Sequence, residues 1–290
     1  MAAISGNARG IQYMLTASAL FVANDTLLKF ALDELPPFET LFLRGLFCVF
    51  WGVPLLARTG NLMHLRRVTD RPVIARSSFD LAAGLGYVVG LKYAALAHLV
   101  TLSQLSPVVL LIVAVLFLGV RIGKREMFMV LLACLGALFV AQPGLSGFSP
   151  YSLFGIWIAL TVAGRELAGR YAHDDVPGLV VACGAAVALT IGGGVVSFAF
   201  EDFVVPSLAQ LIMIALAALA FNLAQFLLFL SYRVGSLVVV APFFYSITLW
   251  ALLAGFAVFG AIPNQLALFG ILLILGSGFF MTRLRPRTAL

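Results

Sequence analysis

Charge is scarce in this chain. Only 10% of its 290 residues are Asp, Glu, Lys or Arg, against about a quarter in soluble domains. Hydrophobic residues make up 62%, and mean hydropathy is +1.10. That balance excludes an ordinary soluble domain and points to a lipid bilayer as the solvent and partner. The net charge is +6, yet no basic face or Lys-rich tail gathers it, so nucleic acid is not an expected partner. Cysteine is nearly absent. Cys48, Cys134 and Cys183 each stand alone in an apolar segment, without metal spacing or a disulfide framework, and read as small core thiols. His64, His98 and His173 lie in or beside loops on different connections, so no cluster of catalytic or metal-binding groups forms and no cofactor is expected. A phosphate-binding lysine loop is also missing, so this chain does not itself run on ATP. "GLGYVVG", residues 84–90, is no dinucleotide fingerprint, because no strand precedes it. A cleavable leader is not expected: the apolar run after Arg9 is too long for one and has no small-residue cleavage site, so it reads as a retained first span.

Long apolar runs are what the chain has instead. A membrane helix needs roughly 20 apolar residues to cross a hydrocarbon core about 30 Å thick. Ten runs qualify, at about 11–32, 38–57, 73–93, 99–119, 127–142, 151–170, 177–199, 208–230, 236–259 and 264–282. They are broken by Pro36-Pro37, the Arg-rich stretch 58–72, "GKRE", "QPGLSGFSP", "HDDVP", "EDFVVP" and "GAIPN". Charge sorting tests the count independently. With the N-terminus in the cytoplasm, twelve of the 18 basic residues fall in cytoplasmic segments. These are Arg9, Arg58, Arg66, Arg67, Arg71, Arg121, Lys124, Arg125, Arg233, Arg283, Arg285 and Arg287. The external loops hold none, but do hold Asp33, Glu34, Glu201 and Asp202. The expected fold is an all-α membrane protein with ten transmembrane helices in the cell inner (plasma) membrane, both termini cytoplasmic.

The break at "QPGLSGFSP" divides the chain into halves of five spans, 1–146 and 147–290. Each half ends on one theme: a proline early in a span ("LSPVVLLIVAVLFLGV", "VAPFFYSITLWALLAGFAVFGA"), then a glycine-bearing final helix ("LLACLGALFVAQPG", "LALFGILLILGSGFF"). Five is odd, so two such repeats cross the membrane in opposite directions. Inverted repeats are a recurrent plan of secondary transporters, with the substrate site near the midplane between the halves. Two bundles of opposite orientation each form a gate, and rocking exchanges the closed one.

The string "DTLLKFALDELPPFETLFLRGLF" resembles the opening of EamA-type transporters of the drug/metabolite transporter superfamily. So does Tyr93-Ala94-Ala95-Leu96 followed by "LSPVVLLIVAVLFLG", and so, more specifically, does "SYRVGSLVVVAPFFYSITLWALLAGFAVFGAIPNQLALFGILLILGSGF". Within the superfamily the chain is similar to YddG-like amino acid exporters. The resemblance implies fold more than substrate. Many members carry a glutamate after the "LFLG" and "VFG" stretches, where this chain has Val120 and Ala261, so any role of those carboxylates is not available to it.

A charge at mid-bilayer costs from a few to more than ~10 kcal/mol, so such residues usually face the bundle interior. Asn24, Asp25 and Lys29 interrupt the oily run "ALFVANDTLLKF". Asp25 lies about 22 Å along from Gly10, and Lys29 is one turn further, on the same face. The two read either as a structural ion pair, with Lys29 alternatively snorkelling to headgroups, or as a site meeting a solute's carboxylate and ammonium groups. Arg44 is expected to dock helix ends or to pair with Glu39 or Asp25. Asp80 with Arg165 is a candidate bridge between the halves at an inner gate, and Glu166 with Arg170 a pair within one helix. Ser103 and Gln104 before Pro107, Asn222 with Gln225, and Pro242 one turn before Tyr245 mark candidate lining faces; helix-to-helix hydrogen bonding is the other reading for each amide. Tyr87, Trp157, Tyr245 and Trp250 sit away from loop ends and suit a flat or apolar solute. Glycines 84, 86, 90 and 192–194 read as points of close helix contact rather than phosphate binding.

These readings converge on a secondary transporter exporting small organic solutes, most of all aromatic or other apolar amino acids, by alternating access. The candidate substrate residues are Asn24, Asp25, Lys29, Asp80, Tyr87, Ser103, Gln104, Trp157, Asn222, Gln225 and Tyr245; Arg44, Arg165, Glu166 and Arg170 are gate or structural charges. Protons, taken up at Asp25, Asp80 or Glu166, are one option for coupling, and a uniporter following the solute gradient is the other. A monomer suffices, although a dimer is compatible. A membrane-embedded enzyme or a non-transport membrane protein is the alternative.

Overall fold

The computed structural model describes residues 2–60, 62–106, 108–110, 112–113, 123–141, 149–169, 177–235 and 241–283. Among these the chain is helical without a strand. Ten α-helices follow in order: α1 (Ala2–Leu32), α2 (Pro37–Arg58), α3 (Arg71–Tyr93), α4 (Leu96–Ser103), α5 (Lys124–Ala141), α6 (Phe154–Gly169), α7 (Gly178–Phe200), α8 (Leu208–Val234), α9 (Ser246–Phe259) and α10 (Gln265–Arg283). Short 3₁₀ turns, Leu62–Thr69, Pro150–Leu153 and Ala241–Tyr245, precede α3, α6 and α9. Gly6–Leu32, Pro37–Arg58, Gly178–Phe200 and Leu208–Leu228 are long and apolar enough to cross a bilayer. Phe243–Phe259 and Gln265–Ser277 are apolar but shorter. The expected fourth and ninth spans lie partly outside the described residues.

The helix ends follow local chemistry. Pro36 and Pro37 start α2, and Pro177 caps α7, where an N–H has no helical partner to lose. Ser207 and Gln210 form a reciprocal capping box on α8. Gly260, at φ 61°, ends α9 in a left-handed turn that a side chain would strain.

The main helix contacts run between the first five helices and the last five. α1 lies along α8, α2 along α7, α3 along α6 and α5 along α10. One apolar core joins Leu28 of α1, Leu91 of α3, Leu99 of α4, Ile158 of α6, Ala217 of α8 and Ala251 of α9. Lipid offers no hydrophobic drive for helix pairing, so small residues set these contacts. A Cβ on Gly45 would lie 2.8 Å from the Thr190 backbone nitrogen, and one on Gly136 would lie 2.8 Å from the Gly270 carbonyl. The expected close-contact glycines behave likewise: Gly86 lies against Trp157, Gly192 against Leu81 and Gly193 against the Phe42 backbone. The thiols divide. Cys48 is buried, but Cys183 is half-buried and Cys134 exposed, so the core assignment fits the first alone; a bilayer can receive a small apolar thiol on the outer face of a helix.

At one end of the molecule, carboxylates hold the start of α2. Glu201, the C-cap of α7, accepts the Phe38 and Glu39 backbone N–H groups at 3.0 and 2.9 Å. Glu39 in turn accepts the Val204 N–H at 2.9 Å. Gln210 donates to Glu34 at 2.6 Å, and Lys92 donates to the Leu35 carbonyl at 3.0 Å. Together these contacts tie the α1–α2 turn to α3, α7 and α8.

Candidate functional site

Ser18, Asp25 and Leu28 recur on one face of α1 at intervals of seven and three, and all three are buried. The polar members need partners there. Asp25 accepts from the Asn24 amide at 2.8 Å, and the Tyr87 hydroxyl of α3 lies near its carboxylate. Asn24 itself is 1% exposed, and its Oδ1 has no hydrogen-bond partner. Arg44 on α2 is close enough for its charge to act on the Asp25 carboxylate. Arg44 is 6% exposed; its guanidinium lies over the Phe221 ring, 4.3 Å from the centroid, and its Nε is buried without a partner. Phe221 on α8 meets Phe21 edge-on at 5.7 Å, and Phe21 meets Phe244 at 6.4 Å. The result is an acidic group and a basic group, both dehydrated, beside an aromatic wall.

Asn24, Asp25, Tyr87 and Arg44 are therefore brought together, whereas the other expected groups lie elsewhere. Asp25 and Lys29 form no ion pair. Lys29 Nζ donates instead to the Leu91 and Ala94 carbonyls at 2.6 and 2.8 Å, with the Phe259 ring 5.7 Å away. The physical reason is the end of α3: its last carbonyls lack helical donors and carry the negative end of the helix dipole, a nearer partner for an ammonium than the headgroups. Arg44 pairs with neither Glu39 nor Asp25. Five residues turn a helix by about 140° beyond a full circle, which points Glu39 and Arg44 to different faces, and Glu39 is engaged by Val204.

Asp80 and Arg165 do join, Nη1 to Oδ1 at 3.2 Å, linking α3 to α6 with both side chains partly exposed. Trp157 of α6 donates its indole N–H to the Ala82 carbonyl of α3 at 2.8 Å, so it ties the same two helices. Asn222 of α8 donates to the Cys48 carbonyl of α2 at 3.0 Å, while Gln225 is half-buried one turn on. Ser103 donates to its own helix at the Val100 carbonyl, 2.7 Å away, and Gln104 is buried at the end of α4. Tyr245 is buried at the junction with α9. Arg170 and Pro107 lie outside the described residues, as do the side chains of Glu166 and Pro242.

Sequence reasoning missed Ser18 and Phe221, and it gave Arg44 a structural part. The seven-residue spacing from Ser18 to Asp25 was a readable signal for the first. Nothing in the linear pattern sets Phe221 against Arg44, because the two are brought together only by the α2–α8 packing.

Residues 8–142 match the EamA-like transporter family. The chain is 26% identical over 204 residues to the pseudopaline exporter of Pseudomonas aeruginosa, across 68% of this chain and 69% of that one. It is 28% identical over 248 residues to the riboflavin transporter of Rhizobium johnstonii, across 82% and 78% respectively. A solved crystal structure superposes with a TM-score of 0.68 at 19% identity, covering 96% of this chain and 97% of the other, which establishes a shared fold. The chain is thus a multi-pass membrane protein whose residues 8–142 match the EamA-like transporter family.

Proposed function

We propose that this protein is a secondary transporter exporting small organic solutes, chiefly amino acids with aromatic or other apolar side chains, by alternating access between two inverted five-helix repeats. The observation that carries the reading is the buried Asn24–Asp25–Tyr87 cluster with Arg44 beside the Phe221–Phe21–Phe244 wall. Opposite charges buried near each other suit a zwitterion's head, and aromatic rings suit a flat or apolar side chain.

The packing supports the repeat. Exchanging each helix of 1–146 with the one five places later maps α1–α8 onto α6–α3, α2–α8 onto α7–α3, and α1–α9 onto α6–α4. The α2–α7, α4–α9 and α5–α10 contacts map onto themselves. With five spans per half, such an exchange inverts the membrane direction; the reading has ten spans in the inner membrane with both termini in the cytoplasm, which the charge sorting supports. The charge sorting puts Asp80–Arg165 at the cytoplasmic side, where the pair acts as an inner gate, and puts the Glu201 clasp outside.

Reconstituted vesicles loaded with a labelled amino acid panel test the reading. Efflux of aromatic and apolar members is expected, and silence across a broad panel would sink it. Repeating the assay with and without a pH gradient decides between proton coupling and a uniporter. For the gate, Asp80→Asn is expected to cut efflux at least about tenfold, and an Asp80→Arg, Arg165→Asp double variant to restore a measurable part. Loss in Asp80→Asn without recovery in the charge swap counts against a gate made by this pair.

A further inference from the structure

We infer that Arg44 is the binding group for the carboxylate of the transported solute, with Asn24 and Asp25 receiving its ammonium group. The inference rests on the transport reading above and names the head group that the site selects.

Two unmet polar atoms carry it. A guanidinium has five donors and no acceptor, and Arg44 offers them from a place that is 6% exposed. Among the described residues it makes no hydrogen bond or ion pair, and its Nε is a buried donor without an acceptor. Breaking one partner from a buried pair is strongly destabilising, so a lone buried cation persists where function keeps it. The guanidinium carbon lies over the Phe221 ring, 4.3 Å from its centroid. A cation held over a ring in this way spends no N–H donor on a hydrogen-bond acceptor, and a guanidinium binds a carboxylate through two parallel N–H hydrogen bonds. Beside Asp25, Asn24 Oδ1 is a buried acceptor without a donor. Among the described residues the neighbouring Asp25 accepts from the Asn24 amide at Oδ1, so lone pairs remain for an ammonium group. One unmet donor and one unmet acceptor, of matching charge bias, describe a zwitterion. Lys29 is no rival for the carboxylate, because its ammonium is committed to the end of α3.

The test pairs carboxylates with their primary amides: phenylalanine against phenylalaninamide, and 3-phenylpropionate against its amide. Binding is read as ligand-dependent thermal stabilisation of the purified full chain, for wild type, Arg44→Lys and Arg44→Gln. Wild type is expected to prefer each carboxylate over its amide at least about tenfold, the weight of one charge-assisted bidentate contact. Arg44→Lys should keep a reduced preference, and Arg44→Gln should lose it while still unfolding cooperatively. If Arg44→Gln does not fold, the wild-type preference together with its reduction in Arg44→Lys carries the test. Equal binding of acid and amide to wild type, or a preference that survives in Arg44→Gln, overturns the assignment. Vesicle efflux of phenylalanine run alongside separates the two readings. Efflux without acid–amide discrimination removes Arg44 and leaves transport standing; discrimination without efflux keeps Arg44 and removes amino acid export.

Discussion

Gly45→Leu is expected to leave no folded protein to purify. The Cβ of any larger residue would sit 2.8 Å from the Thr190 nitrogen and 2.9 Å from its Cα. Those atoms belong to the backbone of α7, so no rotamer change relieves the clash, and α2 must move away from α7. Overpacking a core costs about 1–3 kcal/mol when side chains can yield, and a rigid backbone contact exceeds that. Total stability is only about 5–15 kcal/mol. The displacement would also disturb Arg44, the preceding residue, and its seat on Phe221. Gly255→Ala is the control, since a Cβ there meets nothing within 4 Å and alanine is the better helix former by up to about 1 kcal/mol. Size-exclusion profiles and melting curves in detergent check both. A monodisperse, cooperatively melting Gly45→Leu protein would show that α2 and α7 do not need this approach.

Glu201→Ala is expected to lower stability by about 2–4 kcal/mol, from two charge-assisted hydrogen bonds lost at a helix N-terminus. The carboxylate bridges the Phe38 and Glu39 N–H groups, the two first-turn N–H groups that α2 cannot satisfy internally, since Pro36 and Pro37 have none. Their loss also frees Glu39, whose other contact is the Val204 N–H. Glu201→Gln retains an acceptor oxygen and should cost less than the alanine change. The measurement is thermal unfolding of the purified variants, with hydrogen exchange at Phe38 and Glu39 as the local readout. Equal melting temperatures for wild type and Glu201→Ala would place the clasp outside the stability of the fold. If the clasp also closes the outer side, Glu201→Ala raises the access of thiol reagents to a cysteine introduced at Ser18, the buried polar residue two turns before Asp25.

The membrane class was legible because hydropathy is a property of segments. A run of about 20 apolar residues has few alternatives to a spanning helix whatever its neighbours are. Helix boundaries were legible for the same reason: Pro36-Pro37 and Pro177 act within a turn of themselves. The start of α1 was the exception. The helix runs back to Ala2, ahead of the apolar stretch, because helical backbone continues through polar residues where no breaker stands.

Pairing of charges was less legible. Asp25 and Lys29 lie one turn apart, and proximity in sequence suggested a salt bridge. A lysine stem is long enough to choose among acceptors, and the open carbonyls of Leu91 and Ala94 took it. The Asp80–Arg165 bridge joins α3 to α6 across 85 positions of sequence; complementary charge at one depth made the pair thinkable, but only the packing of those helices brings the atoms to 3.2 Å.

By itself, then, the order of residues determined a helical membrane protein, its breaks, its charge asymmetry and a buried polar point near Asp25, because each follows from local free energies of transfer and hydrogen bonding. Tertiary structure alone decided which buried charge stays unpaired. Lys29 and Arg44 are both cations inside apolar helices, yet one is hydrogen-bonded to the end of α3 and the other lies over the face of Phe221 with its charge near Asp25. That difference arises from which helices lie side by side, and contacts between remote segments leave no periodic trace in the chain.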